Sequence, residues 1–180
     1  MTNRILLRGV IKGLAEAAFP KVKVISGTPS QVAKVELERD QVLIATYSDF
    51  KQSREDVESS TERISQWGFF VGLLDNLDDG PNSYENALDT AEVLGEQLLK
   101  DLEEAGLDIG FRLSSIEKAP NGKIGSESTT GLWFIMTVDV SGCGINQWPD
   151  LSEYMNEISQ RVSPYDWQGI TQNIKALQLR

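Results

Sequence analysis

The densest group of side chains that could do chemistry is an acidic turn over residues 75–85. Four of its residues are carboxylic acids, and such oxygen ligands suit Ca²⁺ and Mg²⁺. The spacing of these residues does not match the ligand positions of a calcium-binding loop. Aligning Gly80 with the invariant glycine puts Leu77 at a ligand position and Asn86 where the bidentate glutamate belongs. A strand-to-helix turn that places acidic side chains beside the positive N-terminal end of a helix accounts for the same residues. We expect such a turn here, with an unorthodox divalent-cation site as the alternative.

Nucleophilic and proton-transfer chemistry has few candidates in this sequence. Histidine is absent, which removes the commonest general base and the commonest metal ligand. Cys143 is the only cysteine and lies between two glycines, without the basic partner that activates a thiol. No Gly-x-Ser-x-Gly elbow, P-loop or dinucleotide fingerprint is present. We predict no catalytic residue, no cofactor and no metal, and the sequence favours a protein that is not an enzyme.

The charge and hydropathy of the chain limit its partners. A net charge of -10 repels polyanions, so we expect no sequence-specific binding to nucleic acid. No apolar stretch approaches the ~20 residues of a membrane span. The first apolar run is broken by Arg8 and Lys12 before it reaches the length of a signal peptide. Together with the lone cysteine, which fits a reducing compartment, these features predict a soluble, cytoplasmic protein that binds no membrane and whose partners are proteins.

The apolar pattern of the first part of the chain predicts a helix followed by short strands. Residues 2–19 form an amphipathic helix. Residues 22–25 and 42–47 are rich in β-branched and apolar residues, which predicts strands. Residues 35–39 alternate apolar and charged side chains, which predicts a half-exposed strand, while a helix over residues 30–38 is the alternative.

The middle of the chain predicts a central strand and a long helix. Residues 64–74 have apolar side chains on both faces, as a strand inside a sheet does. Residues 82–105 have apolar residues three or four apart, with Asn82 as the N-cap and Gly106 as the left-handed stop. Residues 48–62 are polar, and we expect a surface connection or a partly mobile arm there.

The last strands predict a hairpin with a long connection. Residues 111–116 and 132–140 are strands that we expect to pair. Residues 118–130 between them exceed the ~2 to 5 residues of a tight hairpin loop, so we expect a long connection that is functional or disordered. The sequence therefore predicts an α+β sandwich: a mixed or antiparallel sheet of about four to six strands packed against an N-terminal helix and one long central helix.

The end of the chain predicts a helical extension. We divide the chain into an α/β core domain, residues 1–145, and a C-terminal helical extension, residues 146–180, with helices over 150–162 and 164–177. These amphipathic helices pack either on the core of their own chain or on a neighbouring subunit. The candidate interface residues of the long loop and the extension are Lys118, Asn121, Lys123, Trp148, Tyr154 and Trp167.

Three stretches resemble a known family: QVLIATY at residues 41–47, SQWGFFVGLL at 65–74 leading into the Asn82 helix, and GLWFIMTV at 131–138. With the order of helix, strands, long helix and closing strand pair, they resemble the tail terminator and tail completion proteins of tailed bacteriophages. The resemblance implies a ring, commonly of six subunits, that caps the tail tube and joins it to the neck. It implies further copies of this chain, tail tube protein and a neck or connector protein as partners, and a place in the virion after assembly in the host cytoplasm.

Two other functions fit the same residues. An acidic protein-binding module, such as an immunity-type inhibitor that masks a basic toxin, would use the negative charge to accelerate association. A divalent-metal-dependent hydrolase could use Asp75, Asp78, Asp79 and Glu85 without histidine. The three hypotheses differ in oligomeric state, partner charge and metal dependence.

Overall fold

The computed structural model describes eight continuous stretches of the chain and four single residues near its C-terminus. The stretches are residues 3–19, 21–27, 34–38, 41–47, 51–54, 61–74, 83–124 and 129–141, and the single residues are Asn156, Glu157, Gln160 and Val162. The described helices and strands, in chain order, are α1 (Asn3–Ala18), β1 (Val22–Gly27), β2 (Val42–Tyr47), β3 (Lys51–Arg54), β4 (Thr61–Leu74), α2 (Ser83–Ile109), β5 (Phe111–Ile124) and β6 (Thr129–Ser141).

The strands form one mixed, six-stranded sheet in the order β1-β2-β4-β6-β5, with β3 pairing the first part of β4. β1 runs parallel to β2 and the other described pairs are antiparallel. β2 and β3 lie on the same side of β4, where Leu43 faces Gly72 and Lys51 faces Ser65. This sheet and the two helices confirm the predicted α+β class, and the predicted hairpin of the last two strands is confirmed as β5 and β6.

Both helices cover one face of the sheet, because each has an apolar stripe that needs a partner surface. α1 contacts β1, β2 and α2, while α2 contacts β4, β5 and β6. The largest fully buried side chains of this main core come from both layers: Leu7, Ile11, Leu14, Phe19, Ile44, Trp67, Phe69, Phe111 and Phe134. The opposite face of the sheet has a smaller apolar cluster of Leu37, Leu43, Ala45, Phe70 and Trp133.

The segment over residues 34–38 covers part of this second cluster and corrects a prediction. Residues 35–38 are neither strand nor helix, although a strand over 35–39 or a helix over 30–38 was expected. Lys23 Nζ donates to the Glu36 carbonyl at 2.8 Å, and Leu37 is buried in the cluster. The alternation of apolar and charged residues therefore reflects a segment lying across the sheet, where every second side chain packs inward.

The end of α2 also differs from the prediction. The helix continues past Gly106 to Ile109, and Gly106 is needed for close packing, since a Cβ atom there would lie 2.7 Å from the Phe111 carbonyl oxygen. Gly110 is the residue in the left-handed region, with φ of 96°. Its N–H donates to the Gly106 carbonyl at 2.8 Å, which closes the last turn as expected of a helix C-terminus.

Two predicted connections contain strand residues instead. Within the polar residues 48–62, β3 and the start of β4 pair with each other, with Arg54 opposite Glu62. β5 continues to Ile124, so the predicted loop over 118–130 is largely strand. Pro120 is tolerated because β5 is the last strand in the sheet order, where a missing N–H does not break a ladder. A bulge between Ser114 and Glu117 interrupts this strand.

Little of the predicted C-terminal extension is described. Asn156, Glu157 and Gln160 are helical, in agreement with the predicted helix over 150–162. Val162 is partly buried and packs against the main core, so at this residue the extension contacts its own chain. The predicted helix over 164–177 lies outside the described residues. Over the part that is described, the helices are too short or too polar to cross a membrane.

Candidate functional site

The predicted interface residues fall into two groups. Lys118, Asn121 and Lys123 lie together on the edge strand β5 and not in a loop. Trp148, Tyr154 and Trp167 lie outside the described residues, so the structure does not place them relative to β5.

Lys118 connects the edge strand to the long helix. Its Nζ atom lies 2.9 Å from Glu92 Oε1 and also contacts Glu96 Oε1, both on α2. The hydrogen bonds that Lys118 donates to Glu96 and Glu92 raise the pKa of Lys118, because they stabilise its charged form. The three side chains are 36–48% exposed, so solvent weakens the pair. Lys118 therefore neutralises charge within its own chain and holds β5 against α2.

The solvent-facing side of α2 is the most acidic surface of the described chain. The helix has eight carboxylic acids and one lysine, a net charge of -7 in a chain of -10. Seven of the acids are exposed, and they are Glu85, Asp89, Glu92, Glu96, Glu103, Glu104 and Asp108. Such a surface attracts cationic partners and repels polyanions.

Large apolar side chains are exposed on the same helix. Among the described residues, four are exposed, namely Tyr84, Val93, Leu107 and Ile116, and the first three belong to α2. Leu107 is 80% exposed. Apolar and aromatic groups among charges are what protein interfaces use for anchoring. The outer side of α2 is therefore the best candidate for a surface that meets another protein.

A groove lies at the C-terminal end of α2, next to a row of charges across three strands. Arg63, Asp139 and Arg112 are register partners on β4, β6 and β5, and Arg63 Nε donates to Asp139 Oδ1 at 2.7 Å. The groove has a volume of about 470 Å³, and its described lining consists of these three residues with Gly106, Leu107, Gly110 and Phe111. An exposed leucine and two guanidinium groups therefore share one concave surface.

The structure tests little of the acidic turn. Its described residues are Ser83, Tyr84 and Glu85, and Glu85 is exposed in the first turn of α2. Within the described ranges, no three acidic or cysteine side chains come together as metal ligands. Asp75, Asp78, Asp79 and Cys143 lie outside those ranges.

Sequence reasoning missed the groove and its residues. Arg63 lies between the polar residues 48–62 and the strand predicted over 64–74 and was assigned to neither, and the alignment of Arg112 with Asp139 depends on the register of two distant strands. One local signal was available: Leu107 follows an acidic pair and lies off the apolar stripe of α2. A scan against protein-family models and a search of curated proteins each found no match to this chain.

Proposed function

We propose that this chain is a structural protein of a phage virion, of the tail terminator type, whose copies form a ring that caps the tail tube and joins it to the neck. The observation that supports this most is the outer side of α2, where Tyr84, Val93 and Leu107 are exposed among acids. Apolar and aromatic side chains among charges are the groups that protein interfaces use as anchors. The α+β architecture also agrees with the element order on which the resemblance is based.

A closed ring of identical subunits needs two different, complementary surfaces on each subunit, so that each contact is heterologous. α2 offers this possibility, because it reaches along the sheet for 27 residues, about 40 Å at the rise of an α-helix. Contacts at its two ends lie far enough apart for one subunit to touch two neighbours. The sheet edge at β5 is then left for contacts with the tail tube and neck proteins.

Self-association tests this proposal most directly. We expect purified protein to form a discrete oligomer in size-exclusion chromatography with light scattering, and rings in negative-stain images. Addition of tail tube protein from the same genome should place those rings at tube ends. A strict monomer at high concentration that does not bind tail tube protein would contradict the proposal.

The charge of α2 favours a second candidate function, an acidic module that binds one basic protein. A net charge of -7 on one helix would speed encounter with a cationic partner and make the complex sensitive to salt. A 1:1 complex with a basic protein, formed by a monomer and weakened strongly between low and physiological salt, would support this function over ring assembly.

A further inference from the structure

The two ends of α2 are chemically complementary. At its start, Tyr84 is 41% exposed next to the exposed Glu85. At its other end, Leu107 is 80% exposed and lines the groove with Arg112. The first end therefore presents an aromatic ring and a carboxylate, and the second end presents a groove with an exposed leucine and a guanidinium group.

One charged group at each end of α2 has no charged partner among the described residues. In the part of the chain that the structure describes, neither Glu85 nor Arg112 forms an ion pair or a side-chain hydrogen bond. Asp139 is already engaged by Arg63 at 2.7 Å. In the row of Arg63, Asp139 and Arg112, Arg112 is therefore the arginine that can pair with a carboxylate of another molecule. Arginine binds carboxylates with two parallel hydrogen bonds.

We propose, building on the proposed function, that the Tyr84 and Glu85 end of α2 in one copy docks into the Leu107 and Arg112 groove of the next copy. The Tyr84 ring packs on Leu107, and the Glu85 carboxylate pairs with Arg112. A groove of about 470 Å³ has room for one aromatic side chain, and tyrosine and arginine are the residues most often found at interface hot spots.

A second copy fits this groove better than a foreign partner on grounds of charge. The groove has two arginines against one aspartate, in a chain whose surface is otherwise strongly acidic, and the complementary acidic end is present on every copy. A twofold contact between grooves would bring Arg112 against Arg112, which is unfavourable. The head-to-tail contact pairs opposite charges and can be repeated around a ring.

Charge reversal with rescue tests the pairing. Arg112→Glu and Glu85→Lys should each weaken self-association at least tenfold, measured by sedimentation velocity at low salt, because each places like charges together. The double variant should recover most of the loss, since the pair is restored in reverse. Matched controls are Lys100→Glu and Glu36→Lys, which make the same charge changes at exposed residues away from both ends and should leave association unchanged.

Directional cross-linking tests the geometry independently of charge. In a Cys143→Ser background, a mixture of Tyr84→Cys and Leu107→Cys chains treated with a short bismaleimide should yield a covalent dimer. Each variant alone should yield none, because a head-to-tail contact brings residue 84 only against residue 107. A dimer from either variant alone would overturn the head-to-tail arrangement.

The outcomes separate this inference from the proposed function. Rings that persist in folded Arg112→Glu protein, without a mixed cross-link, would overturn the docking contact and leave ring assembly standing. A wild-type protein that is monomeric at every concentration would contradict ring assembly and the contact together. Loss of association in the single variants and its return in the double variant would support both.

Discussion

Gly95 of α2 lies against the ring of Phe134 on β6, so close that a Cβ atom at residue 95 would be 2.1 Å from Cε2. Phe134 is fully buried and stacks on Phe69 of β4, with ring centroids 5.1 Å apart and planes 9° from parallel. The neighbouring ring limits how far Phe134 can move away. The helix reaches its closest approach to the sheet here because residue 95 has no side chain.

Gly95→Ala should therefore destabilise the protein, although alanine is the better helix former by about 1 kcal/mol. Overpacking a filled core costs about 1–3 kcal/mol, and the overlap with Phe134 is severe, so we expect a net loss of about 1–2 kcal/mol. Urea denaturation followed by circular dichroism measures it. In a Phe134→Leu background the same change should cost less, since leucine leaves room; equal costs in both backgrounds would contradict the packing argument.

Gly110→Ala tests the end of α2. The φ of 96° at this residue is unfavourable for any residue with a Cβ atom, so we expect a loss of about 1 kcal/mol. Gly110→Asn should cost less, because asparagine adopts left-handed conformations more readily. Melting temperatures of the two variants provide the comparison. An alanine variant as stable as wild type would show that this turn relaxes without cost.

Lys118→Met should weaken the attachment of β5 to α2 and leave Glu92 and Glu96 with uncompensated like charges at i,i+4 spacing. For a pair this exposed we expect a loss of about 0.5–1 kcal/mol that shrinks as salt is added. Lys100→Met, on the same helix without an ion pair in the described structure, is the matched control. Thermal denaturation at low and high salt measures both.

The same lysine predicts a dependence on alkaline pH. The pKa of Lys118 is raised above its usual 10.5 by the hydrogen bonds that it donates to Glu96 and Glu92, so the folded state holds this proton more tightly than the unfolded state. The stabilisation is complete below pH 10.5 and is lost as pH rises through the folded-state pKa. The difference in melting temperature between wild type and Lys118→Met should therefore shrink as the pH rises through the folded-state pKa of Lys118. A constant difference across the alkaline range would argue against the ion pair.

Thr130→Val should stabilise the protein. Thr130 is fully buried at the start of β6, and its Oγ1 atom has no hydrogen-bond partner among the residues that the structure describes, so valine removes an unsatisfied polar group while it keeps the shape of the side chain. We expect a gain of about 1 kcal/mol. Thr90→Val is the contrasting variant. The Thr90 Oγ1 atom donates to the Asn86 carbonyl at 2.7 Å, so the loss of this hydrogen bond should destabilise the protein. Denaturant midpoints of the two variants should move in opposite directions.

Sequence periodicity predicted best in long elements whose apolar pattern is continuous. The stripe on α2 and the two-faced apolar pattern over residues 64–74 are visible locally, since helix and strand periods differ. The errors have a common physical cause, which is that local composition does not reveal what a segment lies against. Asn121 and Gly122 resemble turn residues, yet they continue β5 because β6 supplies a partner strand.

The candidate site was harder to predict than the fold because it depends on contacts between distant residues. Lys118 meets Glu92 across 26 positions, and Arg63 meets Asp139 across 76. No spacing rule on one helix or strand links such residues. Gly106 shows the same difficulty, since whether a glycine near a helix end supplies a turn or close packing depends on Phe111 beyond it.

The position of β4 between β2 and β6 has a consequence for how the chain is made. β2 and β3 both precede β4 in the chain, so their antiparallel pairs with β4 can form early, but β6 follows only after the whole of α2 and β5. Until Ser141 has left the ribosome, the open edge of β4 presents unpaired backbone groups beside Phe69 and Val71, which is a template for pairing with other nascent chains. We expect recombinant yield to depend on slow synthesis, low temperature or a chaperone that shields this edge.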